Sequence, residues 1–409
     1  MKNYPIGVSL EAGLEMLLAH CVPLPAERVL LEAAEGRVLA ADVTAKEDIP
    51  PFRRSPYDGY ALRAEDTAAA SPEHGVTLSV VEEIPAGHAP AHPVCPGQAA
   101  KILTGAPVPE GVDAIVKFED TEFTAETVTI FSPCRSGENV VPAGEDIRQG
   151  SVVMQKGTVL DSARLGILAG LGRAVVDVYR RPKVELIPTG SELVPKESPL
   201  RPGKIRNSSV YALSSYIARC GGQCRCAAIA PDRAETVAEA IESGLRYADI
   251  VMTTGGASVG DYDVARAALE RLGAEILFWK LQIKPGMAFV AAVCRGKLVL
   301  CLSGNPSAAA VALFLLGIPV LRKLGGRREV ALRTIRLKLA NPFPKKSPVR
   351  RFLPGRLIVR DGAAYLEQNL RQGNGMLRPL VDCELLGEIP ADSPPMEAGA
   401  EIRAYCLFR

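Results

Sequence analysis

The stretch TTGGASVGDYD, residues 253–263, gathers three glycines, a serine and two aspartates directly behind an apolar run. Within it, Gly256-Ala257-Ser258-Val259-Gly260 fits G-x-S-x-G, the nucleophile elbow of serine hydrolases. A glycine-rich turn behind a strand also suits an anion, because backbone N–H groups approach a phosphate closely where no side chain intervenes. Residue order separates these chemistries. A hydrolase triad of this type runs serine, acid, histidine along the chain, yet the four histidines (His20, His74, His88 and His92) all precede Ser258. A Walker-type loop, G-x-x-x-x-G-K followed by Ser or Thr, is absent from the sequence. The stretch therefore reads as a turn in which Gly255, Gly256 and Gly260 admit an anionic ligand. Ser258 becomes a hydrogen-bond donor, and Asp261 and Asp263 close the turn as acids.

Four other loops carry comparable residues. Thr189-Gly190-Ser191-Glu192 follows VELIP, Pro231-Asp232 follows AAIA, Lys284-Pro285-Gly286 follows FWKLQI, and Ser303-Gly304-Asn305-Pro306 follows LVLCL. In an open α/β sheet, ligands bind outside the carboxyl ends of the strands. Thr189, Gly190, Pro285, Ser303, Gly304, Asn305 and Pro306 are accordingly expected at the same ligand, with Glu192, Asp232, Asp261 and Asp263 as the acids of the same edge. Read as one strand, FWKLQIK puts Lys280, Gln282 and Lys284 on one face and Trp279, Leu281 and Ile283 toward the core. Like charges about 5 Å apart repel by roughly 3 kcal/mol at an effective dielectric near 20. Clustered carboxylates would thus reject an oxyanion unless lysine intervened, or Mg²⁺ held by one or two carboxylates and the substrate's oxygens. The competing reading makes the lysines surface ion pairs with the same carboxylates.

The elements that must position these loops follow from pattern. With 409 residues, 47% hydrophobic and 23% charged, the chain can bury several cores. A net charge of +2, from 48 basic and 46 acidic residues, gives no reason to expect a nucleic-acid or anionic membrane surface. Ten scattered cysteines read as reduced thiols of a cytoplasmic protein. Cys220-x3-Cys224-x-Cys226 and His88-x3-His92-x2-Cys95 read as buried thiols and loop residues rather than metal ligands. Leu10, Leu14, Leu17 and Leu18 fall at helical spacing, without a signal-peptide core. The apolar run from Ala308 to Leu321 is too short to span a bilayer and suits a buried helix.

Residues 1–50 and 148–182 read as one α+β region, with a helix over LLEAAE stopped at Gly36. Residues 51–147 form a β-rich inserted domain of short strands and turns. Residues 183–326 alternate strand and helix, which implies a central three-layer α/β domain with a mainly parallel sheet. Its strands are expected over KVELIPTG, CAAIAPD, DIVMTTGG, ILFWKLQIK, MAFVAAV and KLVLCLSG. Residues 327–409 alternate in β fashion, as a small C-terminal barrel or sandwich would. The fold class is thus multidomain α/β plus β.

Nine segments run in one order along nearly the whole chain: EAAEGRVLAADV, PPFRRSPYDGYAL, IPAGHAP, KILTGAPVPEGVDAIVKFED, GENVVPAGEDIRQG, IPTGSELV, TTGGASVGDYD, FWKLQIKPGMAF and LSGNPSA. In this combination the chain resembles the MoeA family of molybdopterin molybdenumtransferases, also known from the C-terminal half of gephyrin. The resemblance implies a four-domain elongated homodimer, with residues 183–326 of the molybdopterin-binding type. It implies Mg²⁺-dependent insertion of molybdate into adenylylated molybdopterin, with release of AMP. Matched motif by motif, the catalytic set is Asp58 of PYDGYA, Thr104 of LTGAP, Asp146 of GEDI, Glu192 of TGSEL, Asp232, Asp263, Lys280 and Lys284. Glu192, Asp232 and Asp263 are the implied Mg²⁺ ligands. Because Asp58, Thr104 and Asp146 lie in the inserted domain, the resemblance suggests a cleft completed by the second subunit. A molybdopterin-adenylating enzyme and molybdoenzyme acceptors are the further implied partners; neither nucleic acid nor membrane is expected. Ser303 departs from the family's usual proline, and Asn374 stands where serine is frequent. Two alternatives stay open: molybdopterin adenylylation, which the α/β domain alone would permit, and a non-catalytic molybdopterin-binding scaffold.

Overall fold

The computed structural model describes residues 4–257, 264–369 and 373–408, so Ser258, Gly260, Asp261 and Asp263 lie outside the described residues. The chain divides into two compact units, Met1–Ala40 with Gly157–Asp161 and Val176–Arg409, and Ala41–Lys156 with Ser162–Val175.

The first unit is built on a seven-stranded sheet. Its spatial order is Ile6–Val8, Glu275–Leu281, Phe289–Cys294, Lys297–Ser303, Ile250–Ala257, Lys183–Pro188 and Gln223–Cys226. Phe289–Cys294 runs antiparallel to both neighbours, and the other pairings are parallel. Helices Leu10–Ala19, Ser209–Arg219 and Pro306–Leu324 bury Leu17, Ile217 and Phe314 in the core on one face. Helices Ala234–Tyr247 and Val264–Arg271 bury Ile241, Leu245 and Leu269 on the other. With both faces covered, strands such as Lys297–Ser303 read as near-continuous apolar runs. The 19-residue helix from Pro306 is apolar because 89% of it is buried inside the protein.

Four expectations change. The first residues join the main sheet: Ile6–Val8 pairs with the Glu275 strand, and Ser9 caps the following helix by accepting from Ala12 N–H at 3.1 Å. The helix expected over LLEAAE shrinks to one 3₁₀ turn, Leu31–Ala33, because Ala26–Leu30 pairs as a strand with Val175–Tyr179. The strand expected over CAAIAPD runs instead over Gln223–Cys226, in register with Lys183–Leu186, and Ala227–Ile229 line a surface cavity. FWKLQIK is not one strand. Lys280 has φ +67°, which breaks the two-residue period, and the chain then leaves the main sheet. Ile283–Lys284 pairs with Arg350–Arg351 of the C-terminal sheet.

That C-terminal sheet closes on itself. Arg350–Arg360 pairs with both Ala363–Gln368 and Leu385–Ile389, and Thr334–Leu339 and Glu401–Cys406 complete the ring. The result is a small β-barrel around Leu337, Leu353, Leu366 and Ile402.

The second unit holds a six-stranded sheet ordered Ala114–Lys117, Gly59–Leu62, Gln98–Ile102, Val76–Ile84, Thr127–Ile130 and Thr121–Phe123. Gly59 is dictated by packing, since a Cβ there would lie 2.0 Å from the Val116 carbonyl oxygen.

Phe278 is fully buried and stacks on Phe289 with ring centroids 5.7 Å apart. Phe278→Ala is expected to lower the unfolding free energy of the first unit by about 3–5 kcal/mol. Urea denaturation measures it, and a change below about 1 kcal/mol would contradict this packing.

Candidate active site

Two neighbouring strands end together and build the site's floor. The register pairs Pro188 with Thr254, and Thr189 N–H donates to the Thr254 carbonyl at 2.8 Å. Gly255 then turns with φ +100°, so near Thr189 that a Cβ would lie 2.1 Å from its carbonyl oxygen. Only glycine accommodates both the dihedral and the approach. This is the physical content of the TTGG motif.

The next loop carries the acids. The Glu192 carboxylate folds over Gly190, where a Cβ would lie 2.7 Å from Glu192 Oε2. Asp232 and Ser191 bond reciprocally: Ser191 N–H donates to Asp232 Oδ2 at 2.8 Å, and Asp232 N–H donates to Ser191 Oγ at 3.2 Å. Lys204 Nζ donates to the Ser191 carbonyl at 2.6 Å. Glu192 and Asp232 are thereby held on adjoining loops.

A helix start faces them. Gly304 approaches Gly255, its Cβ position lying 3.3 Å from Gly255 Cα. Asn305 N–H donates to Ser303 Oγ at 3.3 Å, and Pro306 opens the helix. Ser303, the departure from proline, thus contributes a hydroxyl to this turn. A helix N-terminus carries about half a positive charge, which favours an anion there.

These parts enclose a cavity of about 490 Å³, lined by Thr189, Gly190, Glu192, Asp232, Gly255, Gly256 and Ser303 to Pro306. Among the described residues of the α/β domain, the sequence-predicted residues meet here apart from three. Lys280, Lys284 and Pro285 are not among the described lining residues. Lys280 Nζ instead sits 4.2 Å from the centroid of the Trp279 ring, and Lys284 is carried to the barrel. The cation that does line the cavity is Arg206, with Asn207, Ser208 and Ser209 at the start of a second helix. Gly375 and Leu377 of the C-terminal region complete the lining. Sequence reasoning missed these residues. The Asn207-Ser208-Ser209 run before an apolar helix is the signal that could have marked that helix start.

Among the described residues, no group of three His, Cys, Asp or Glu side chains could hold a metal. Glu192 and Asp232 supply two carboxylates, and the third expected ligand, Asp263, lies outside the described residues. Among the described residues the lining offers neither thiol nor imidazole. Hard carboxylate oxygens on two loops fit Mg²⁺ sharing a substrate's oxygens.

In the second unit, Asp58 precedes the Gly59–Leu62 strand and Thr104 follows its antiparallel partner, Gln98–Ile102. Thr104 donates twice to Asp58 Oδ1, from its hydroxyl at 2.7 Å and its backbone N–H at 2.6 Å. These bonds hold the exposed Asp58 carboxyl below its usual range. Asp146 is exposed in the same unit, its backbone N–H bonded to the Ile49 carbonyl at 3.0 Å.

Comparison with known proteins agrees with this arrangement. Residues 8–172 match the family model described as MoeA N-terminal region (domain I and II). Residues 185–323 match the "Probable molybdopterin binding domain", and residues 336–407 the MoeA C-terminal region (domain IV). The molybdopterin molybdenumtransferase of Staphylococcus epidermidis strain RP62A is 36% identical over 399 residues, covering 97% of this chain and 94% of that protein. That of Staphylococcus aureus strain Mu50 is 32% identical over 398 residues, with the same coverage. The chain belongs to the molybdopterin molybdenumtransferase family. It is a transferase of molybdenum cofactor biosynthesis. A crystal structure of the MoeA protein from Pyrococcus horikoshii superposes with a TM-score of 0.84 at 32% identity, covering 98% of this chain and 99% of that one. The family's α/β domain, sheet-rich domains and closed C-terminal barrel are those described above.

The Asp58–Thr104 pair has a pH signature. A lowered carboxylate pKa favours the folded loop above the ordinary aspartate range, and that contribution is lost as pH falls through the lowered value. Thr104→Ala removes the hydroxyl bond and keeps the backbone one, so it is expected to raise the Asp58 pKa part of the way back to the ordinary aspartate range. Carboxyl-carbon NMR titration reads this, and an unchanged Asp58 midpoint would contradict the assignment.

Proposed function

We propose that this chain inserts molybdate into adenylylated molybdopterin and releases AMP, in a Mg²⁺-dependent reaction. The observation that carries the reading is one cavity at the strand ends, where two carboxylates face glycine turns and two helix N-termini. Such a site must bind an anion and a cation together. Bound Mg²⁺ would supply positive charge to the phosphate and oxyanion oxygens of the substrates. Glu192 and Asp232 would hold it. The backbone N–H groups of the glycine turns and the Asn305-Pro306 helix start orient the anion. Arg206 offsets the carboxylates on the opposite side of the charge balance. Positioning and electrostatic stabilisation of this kind dominate phosphoryl-type chemistry.

Asp263, Ser258 and Gly260 complete the acidic turn in this reading. Lys280 and Lys284 are assigned to the incoming oxyanion, although neither lines the described cavity. Asp58, Thr104 and Asp146 act on the same reaction from the second copy of a cytoplasmic homodimer. The adenylylating alternative gains nothing from the second unit or the barrel, both of which the family models cover.

Glu192→Gln is expected to reduce AMP release by about 10²-fold and raise the Mg²⁺ needed for half-maximal rate. Turnover of adenylylated molybdopterin with molybdate measures both, and wild-type Mg²⁺ dependence in the variant would remove the assigned role. Mixing inactive Asp58→Asn and Glu192→Gln chains should restore activity by forming dimers with one intact site. Mixtures as inactive as either parent would argue against shared sites.

A further inference from the structure

Away from the strand-end cavity, five arginines of the first unit converge. Arg37, Arg180, Arg181, Arg322 and Arg327 line one small cavity, together with Cys220 and Gly325 at the ends of two helices. No carboxylate lines it among the described residues. Two of the five are paired elsewhere: Arg37 with Glu27, and Arg180 with Asp249 through bonds of 2.9 and 2.8 Å. Arg322 donates to the Ala331 carbonyl at 2.8 Å, which satisfies a donor without neutralising its charge. Glu329 bears on Arg322 from a distance but is exposed and shared with Arg333. Arg181 and Arg327 make no ion pair among the described residues.

Three guanidiniums therefore lack a paired carboxylate. The two helix C-termini offer about half a negative charge each, so roughly two positive charges remain. Burial makes this costly. Arg322 is 4% exposed, and desolvation holds both Arg322 and Arg327 below the usual arginine range, Arg322 further because of Arg327. Cys220 does not balance them, because burial pushes its thiol up and keeps it neutral. The Nε groups of Arg37, Arg181 and Arg322 are buried with no hydrogen-bond partner in the protein. Buried donors of this kind are normally satisfied.

We infer that this cavity is a structural binding site for a monatomic anion of the halide class, chloride in physiological medium. Its volume of about 20 Å³ exceeds the minimum for one water-sized occupant. The anion would tie the Gly36–Val38 turn, the Tyr179–Pro182 connection and the end of the long core helix to one another.

The test uses the full chain. Crystals soaked in sodium bromide are expected to show anomalous bromide density in the cavity, between Arg322 and Arg327. The melting temperature is expected to rise by about 2 °C or more as chloride replaces gluconate at fixed ionic strength. Arg322 is a poor target because its loss could prevent folding, so Arg327→Gln, at the half-buried edge, is the variant; it should abolish the rise. Water without bromide in the cavity, with melting indifferent to halide, overturns the inference. So does stabilisation by sulfate or phosphate but not halide, or a chloride effect that persists in Arg327→Gln.

Discussion

The close approach of Gly255 to the Thr189 carbonyl is the constraint on which the candidate site depends. It exists because Lys183–Pro188 and Ile250–Ala257 run parallel and end at the same level. Any side chain at Gly255 would separate the strand ends, and with them the loops that carry Glu192 and Asp232. Gly304 closes the same contact from the third strand. Four consecutive strands of the sheet, with Gln223–Cys226 leading to Asp232, therefore deliver acids, backbone donors and a helix start to one place. The sheet tolerates that polar end because its faces are sealed by five helices, and the burden of stability lies there rather than at the site.

Charge is distributed with similar economy. The cavity sets two carboxylates against one arginine and two helix N-termini, an arrangement that suits a cation and an anion bound together. The arginine-lined cavity has the opposite balance, with guanidiniums and two helix C-termini. The same sheet-and-helix frame thus presents helix starts to one site and helix ends to the other, a direct consequence of the parallel strand–helix repeat.

The second unit follows a different logic. There an antiparallel pairing, Gly59 opposite Ile102, places Asp58 and Thr104 at the same end of two strands. The aspartate's charge is favoured by two local donors rather than by a neighbouring cation. Family membership spans both units.

What the sequence determined by itself was the set of elements whose signal is local. The helix Ala234–Tyr247 was legible from its apolar period, the helix after Pro306 from its apolar run, and the strand-end loops from glycine and proline. That Glu192, Asp232 and the Ser303 to Pro306 turn line one cavity was legible because strand ends in this fold converge by rule. Only the tertiary structure decided features that depend on a partner strand. The edge strand moved to Gln223–Cys226 because its register is set by Lys183–Leu186, not by its own hydrophobicity. The two lysines separated because Lys280 turns with a positive φ and Lys284 pairs with the barrel, so a two-residue period in the sequence did not become a shared face. Arg206 and Gly375 reached the cavity from loops distant in sequence. The reason is the same in each case: periodicity and turn chemistry act within a few residues, whereas register and sheet exchange are settled by contacts across the chain.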